Sequence, residues 1–214
     1  MESHTEEPFE YTVYDDFSRD ETVSRLEDAK KIYGFQLVHL SEVTTHASPN
    51  YLLILQMAQK KALEAGAHLL IVESDVTIQS DTLKTLSERS STLANPGMVA
   101  AVTTDEQKHV NFPYLYAKGL PKGSIKTTKR LSFCCTMLTN ALLRSYDFVN
   151  LDAEKSWFDV FISHKSKSLG FNNYLLTDLP VLHRPHSSRP WKKLKYSNPL
   201  KYYWQKFTRG RDKI

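Results

Sequence analysis

The residue types best placed to do chemistry are Glu73 and Asp75, two carboxylates one residue apart, directly after the apolar run Leu69-Leu70-Ile71-Val72. Such a run, without polar alternation, is the pattern of a strand buried on both faces. Acids delivered to the end of a buried strand can reach a phosphate, a metal ion or a sugar. A second acidic tip follows Val13-Tyr14, where Asp15 and Asp16 open a polar run to Thr22. The ordinary alternative is that Asp favours turns and helix caps, and spacing alone leaves both readings open.

Positioning these acids takes alternating helices and strands. Residues 9–14 alternate in strand fashion, and Val23, Leu26, Ala29 and Ile32 repeat at helical spacing up to Tyr33-Gly34, with Ser18 or Asp20 expected as the cap. Residues 35–40 read as a second strand. The polar residues 41–50 then lead into a helix carrying Leu52, Leu55, Ala58, Ala62 and Leu63. After the central strand, Ser80 is expected to cap a helix with Leu83 and Leu86, and residues 98–102 form another buried strand. The order β, α, β, α, β predicts an α/β fold, an open and mainly parallel sheet flanked by helices. Residues 103–130, polar and carrying Gly119, Pro121 and Gly123, read as a loop or hairpin excursion over a site. An apolar strand over 131–138 follows, then a short helix with Ala141 and Leu142. A helix from about 156 to 169, closed by Gly170, precedes strands at 171–176 and 180–183.

Composition bounds the rest. The chain has 214 residues, 41% of them hydrophobic, and only 7 Gly, which describes one folded domain with a tail rather than a low-complexity protein. Cys134 and Cys135 are adjacent and cannot readily satisfy disulfide geometry with each other, which fits a reducing, cytoplasmic setting. No apolar stretch approaches the roughly 20 residues of a membrane span, and the acidic start is unlike a signal peptide.

Taken in order, these motifs resemble the family 2 inverting glycosyltransferases of GT-A fold, particularly their rhamnosyltransferase-like branch, over residues 1–183. The run from Val13 through Asp15 and Asp16 to Thr22 is similar to that family's strand and acidic loop that hold the nucleotide base. Glu73-Ser74-Asp75-Val76 is similar to its metal and diphosphate motif, with Glu in place of the first acid. Trp157-Phe158-Asp159-Val160, followed by Leu169-Gly170-Phe171 and Leu182-His183, is similar to the helix with the catalytic base and the strand ending in a histidine ligand. The resemblance therefore implies Asp15, Asp16, Glu73 and Asp75 as donor-binding residues, Asp75 and His183 as ligands of Mg2+ or Mn2+, and Asp159 as the base. It also implies a nucleotide-sugar donor and a glycan or lipid-linked acceptor. Oxygen ligands suit either ion, and an imidazole suits Mn2+ better. The chain departs from the family where Phe158 and Phe161 stand in place of frequent acids, and with only Met1 to Glu10 at that place the expectation is that the usual first strand-helix unit is missing from this sequence. A noncatalytic nucleotide-sugar or glycan-binding module with an incomplete donor site is the alternative expectation. Cys134 and Cys135 read as buried core residues beside the acceptor site.

The net charge of +4 hides an asymmetry: residues 184–214 hold 10 Lys or Arg against one acid, a net of +9. Six aromatic residues are interleaved with them, Trp191 and Trp204 among these. This pattern suits an anionic membrane surface, where lysines meet lipid charge and Trp or Tyr sits at headgroup level; a nucleic-acid partner is the weaker expectation. A helix packing its aromatics on the domain would look the same in sequence. The membrane expectation places the protein on the inner face of the cell membrane. In sedimentation with anionic vesicles, the intact chain is expected to pellet, less so in high salt, and a chain ending at Ser188 to stay in solution; equal behaviour of the two forms would assign the tail a structural role.

Overall fold

A computed structural model describes residues 9–155 and 157–184, together with Asn198, Leu200 and Trp204. The expected basic and aromatic extension otherwise lies outside the described residues. The elements are β1 (Thr12–Asp15), α1 (Asp20–Tyr33), β2 (Gln36–His39), α2 (Tyr51–Glu64), β3 (Leu69–Val72), β4 (Val76–Thr77) and α3 (Thr82–Thr92). They continue with β5 (Pro96–Thr104), β6 (Ser124–Thr127), β7 (Cys135–Leu138), α4 (Asn140–Ser145), α5 (Phe158–Ser168) and β8 (Asn172–His183).

The main sheet has the order β3-β7-β5-β8-β4, with β6 also paired to β8, while β1 and β2 form a separate parallel pair. β5 and β8 are parallel, and β7 is antiparallel to both β3 and β5, so β3, β5 and β8 share one direction. The longest strands thus run parallel in an open sheet flanked by helices. The antiparallel insertion of β7 is a tertiary feature, since an apolar strand reads the same from sequence in either direction. The segments expected at 171–176 and 180–183 are one strand, with an irregularity against β5 between Leu176 and Pro180. The excursion over 103–130 contains a helical turn at Leu115–Ala117 and strand β6.

Successive residues of β5 show why the strand is apolar throughout. Met98, Ala100 and Val102 enter a core cluster with residues of α2, α4 and α5, while Val99 and Ala101 enter a second cluster that holds Leu86 of α3. Gln59 of α2 is buried and fully used: its amide donates to the carbonyls of Leu143 (2.9 Å) and Tyr146 (2.7 Å), and its carbonyl accepts from Phe148 N–H (2.8 Å). One buried polar side chain thereby fixes α2 against the segment after α4 without leaving a donor unsatisfied. The caps differ from expectation. α1 starts after Arg19 with no side-chain cap, and α3 starts after Asp81, where the Thr82 hydroxyl rather than Ser80 accepts a backbone N–H from Gln79 (2.9 Å).

The first βαβ unit is held mostly by polar contacts. α1 has no buried residue, and among the described residues β1 pairs only with β2 and β3 only with β7. The two acid-tipped strands are therefore not hydrogen-bonded neighbours. Lys61 of α2 reaches Glu10 (2.9 Å), Thr12 (3.0 Å) and Gln36 (2.5 Å). At the other end His39 stands between two carboxylates, Nδ1 at 2.9 Å from Asp15 and Nε2 at 3.0 Å from Glu27. Hydrogen bonds to Asp15 and then Glu27 raise the His39 pKa above its ordinary value, because both ring nitrogens can donate only in the imidazolium. The unfolded value lies near 6.5, so this stabilisation is complete below about pH 6.5 and is lost as pH rises through the raised folded value. The stability difference between wild type and His39→Gln, measured by denaturant unfolding, is expected to shrink from about pH 6 to about pH 8. A difference that stays constant over that window would show that the His39 pKa is the same in the folded and unfolded chain.

Candidate metal and donor site

The site begins where β3 ends. Glu73 N–H donates to the Cys134 carbonyl at 3.0 Å, which extends the β3–β7 ladder by one pair and sets residues 73 and 134 opposite each other. The chain then turns, with Val76 N–H on the Glu73 carbonyl (3.1 Å), and Val76 pairs with His183 at the end of β8. Arg184 N–H closes the turn on the Asp75 carbonyl at 2.9 Å. Backbone pairing alone therefore brings residues 73, 75, 134 and 183 to one place.

His183 is 4% exposed and fixed on one side. Its Nδ1–H donates to the Phe112 carbonyl at 2.6 Å, and its own carbonyl accepts from Asn111 (2.9 Å). A carbonyl can only accept, so the proton sits on Nδ1, and in the neutral ring Nε2 offers a lone pair toward the interior. That lone pair faces the Asp75 carboxylate at 3.3 Å. Two acceptors oppose each other there unless Nε2 gains a proton or a cation joins them. A histidine held by its second nitrogen on a backbone carbonyl is the usual orientation of a metal ligand.

Cys134, which the sequence reading placed in the core, joins this group. It is buried as expected, but it belongs to neither apolar cluster, whereas Cys135 packs in the core. The Cys134 thiol donates to Glu73 Oε2 at 3.4 Å, and its sulfur lies 3.9 Å from His183 Nε2. The ligand atoms of Glu73, Cys134 and His183 all lie within 4.8 Å of one another. Burial, then the Glu73 charge, push the Cys134 thiol well above its ordinary range, and burial alone pushes Cys135 to about 12. Without a cation both are thiols at neutral pH. Two carboxylates, an imidazole and a thiol form a donor set that fits a divalent ion. No signal in the chain marks Cys134 as a ligand, because its partners come from the β3–β7 register.

The remaining expected residues are held by contacts of their own. Asp159 is half-buried in the first turn of α5. One turn later, the Ser163 hydroxyl accepts from Leu131 N–H at 2.9 Å, which fastens α5 to the segment leading into Cys134. Tyr51 packs against Phe133 (ring centroids 6.4 Å apart) and Phe158 (6.3 Å), the neighbours of Cys134 and Asp159. Tyr51 also follows Asn50, which donates to Asp16 from its backbone (2.8 Å) and its side chain (2.7 Å). Ser48 donates to the same carboxylate at 2.8 Å. Asp16 therefore ties the end of β1 to the start of α2. Burial opposes its charge, but these bonds outweigh it and hold the carboxyl below its ordinary range. Asp15 is 4% exposed and turned toward His39, with Ser18 N–H on its other oxygen at 3.2 Å. Its pKa is likewise lowered, since the bonds from Ser18 and His39 outweigh burial. The structure thus gathers Glu73, Asp75 and His183 and adds Cys134. It ties Asp16 to Ser48 and Asn50 at the start of α2, places Asp159 in the first turn of α5, and engages Asp15 within the first βαβ unit.

No protein-family model matches the chain, and no curated protein matches it in sequence. Solved structures do. The mannosyltransferase PcManGT from Pyrobaculum calidifontis, in complex with GDP-Man and Mn2+, superposes with a TM-score of 0.61 at 16% identity over 94% of this chain. The chain spans about half of that protein, 55% of its length. GalNAc-T7 with UDP, GalNAc and Mn2+ gives a TM-score of 0.55 at 12% identity over 81% of this chain and 37% of its own. A mycobacterial protein gives 0.53 at 17% identity, covering 86% of this chain and 59% of its own. With the sheet and helices described above, these likenesses establish that the chain has a GT-A-like fold.

Proposed function

We propose that this chain is a metal-dependent glycosyltransferase domain of the family 2 inverting type, related to the rhamnosyltransferase-like branch. It moves a sugar from a nucleotide-sugar donor to a glycan or lipid-linked acceptor. The observation that carries the reading is the convergence of Glu73, Asp75 and the pre-oriented His183 at the end of β3 and β8. The fold supports it, as do the Mn2+ and nucleotide-sugar components of the similar structures. Asp75 and His183, with Glu73 beside them, would hold a divalent ion, Mn2+ or Mg2+, and such an ion would supply positive charge against a donor diphosphate. Asp16, at the junction of β1 and α2, and Asp15 next to it face the base end of the donor in this reading.

Asp159 acts on the acceptor. Its carboxylate takes the proton of the acceptor hydroxyl while that oxygen forms a bond to the anomeric carbon, on the face opposite the diphosphate. The bond from the anomeric carbon to the diphosphate oxygen breaks with its electron pair on the diphosphate, so the configuration inverts. Asp159 stands half-buried in the first turn of α5. The internal engagement of Asp15 and Asp16 favours a second reading, a noncatalytic module that binds a nucleotide sugar or glycan.

Calorimetry with Mn2+ plus GDP or UDP, and hydrolysis of the matching nucleotide sugar, separate the two readings. Wild type is expected to bind the diphosphate only with the ion, and Asp75→Asn to weaken that binding by at least about 10-fold. Asp159→Asn is expected to leave binding nearly unchanged and to lower turnover by about 100-fold or more. Binding without turnover would favour the noncatalytic module. Binding that ignores the ion or Asp75 would overturn the donor-site reading itself.

A further inference from the structure

Among the described residues, the thiol of Cys134 is a buried reactive group beside this site that the proposed transfer does not use. Its sulfur is 3.4 Å from Glu73 Oε2 and 3.9 Å from His183 Nε2, and it is 2% exposed. Neighbouring Cys135 shows what an ordinary core cysteine in this strand does: it packs among Val99, Ala101, Leu176 and Val181 in the apolar cluster, to which Cys134 does not belong. Strand alternation explains the difference, because successive side chains of β7 leave on opposite faces and only residue 134 meets Glu73 across the ladder. The three candidate ligand atoms come from three separate strand ends, each fixed by backbone hydrogen bonds, so their proximity does not depend on one flexible loop.

We infer that Cys134 is a direct metal ligand, which with Glu73 and His183 forms a three-residue site selective for a thiophilic divalent ion such as Zn2+ or Co2+ over Mg2+. The inference rests on reading this edge as a metal site and refines which ion it holds. Thiolate is a soft ligand, poorly matched to Mg2+ and well matched to Zn2+ and Co2+. On binding, the sulfur–proton bond gives way to a sulfur–metal bond and the proton leaves to solvent, with no change of oxidation state. Three protein ligands leave a further position open, and the half-buried Asp75, 3.3 Å from His183 Nε2, borders it. Cys134 is then a determinant of metal specificity, absent from the ligand set of Asp75 and His183 that the resemblance implies.

The test uses Co2+ as a spectroscopic probe on the full chain, without donor or acceptor. Wild type is expected to bind one Co2+ and to show sulfur-to-cobalt charge-transfer absorption in the near ultraviolet. Cys134→Ser should lose that band and bind Zn2+ at least about 10-fold more weakly, while Cys135→Ala keeps both. Cys134→Asp, which supplies oxygen instead, should narrow the preference for Zn2+ over Mg2+. Wild type that binds Co2+ without the band, or binds none, overturns the inference whatever the variants do. If the band is absent while Asp75→Asn still weakens Mn2+-dependent diphosphate binding, the inference fails and the proposed function stands. If the band is present and no nucleoside diphosphate binds, the metal ligand stands and the transferase reading fails.

Discussion

The antiparallel pairing of Val76 with His183 is the constraint on which the site depends. It joins the short turn after β3 to the last residue of a strand more than a hundred positions later in the chain. Once that register is set, Asp75 meets the imidazole, Arg184 N–H closes on the Asp75 carbonyl, and the Phe112 carbonyl fixes the tautomer. A slip of one residue would turn the His183 side chain to the opposite face and leave the two carboxylates without their nitrogen partner.

That register is secure because β8 is locked by burial elsewhere. Leu175, Leu176 and Val181 are fully buried, and β8 pairs with β5 along most of its length. Buffering by a large apolar core lets the polar end of the strand carry groups that would not assemble alone. Asn173 plays a related part at the start of β8, where its amide donates to the Ser163 carbonyl (2.8 Å) and its oxygen accepts from Ser166 (2.7 Å). These bonds tie α5, and so Asp159, to the same strand that ends in His183.

The first βαβ unit follows a different logic. It has few buried apolar side chains and is held by His39 between Asp15 and Glu27, by Lys61, and by Asp16 across Ser48 and Asn50. Polar contacts of this kind are individually weak in water and strengthen where they are shielded. The acids at the tip of β1 therefore hold the fold with the same carboxylates that are proposed to bind the donor.

Much of this was legible in the chain. The apolar run at Leu69–Val72, the helical spacing of Leu52 to Leu63, and Gly34 after α1 each match an observed element, because burial and backbone sterics act locally. The order of acids and the terminal His183 pointed to strand ends, and the side chains of Glu73, Asp75 and His183 lie near one another at those ends. Other features could not be read. The caps of α1 and α3 were misplaced because several polar residues nearby can compete for the same backbone groups. The direction of β7, the role of Cys134 and the inward turn of Asp15 all depend on which strand lies beside which. The sequence by itself determined the elements and the chemical types at their ends, since those follow from local periodicity and side-chain chemistry. Only the tertiary structure decided which of those ends share a site, because strand order and register are set by long-range backbone pairing that leaves no periodic mark in the chain.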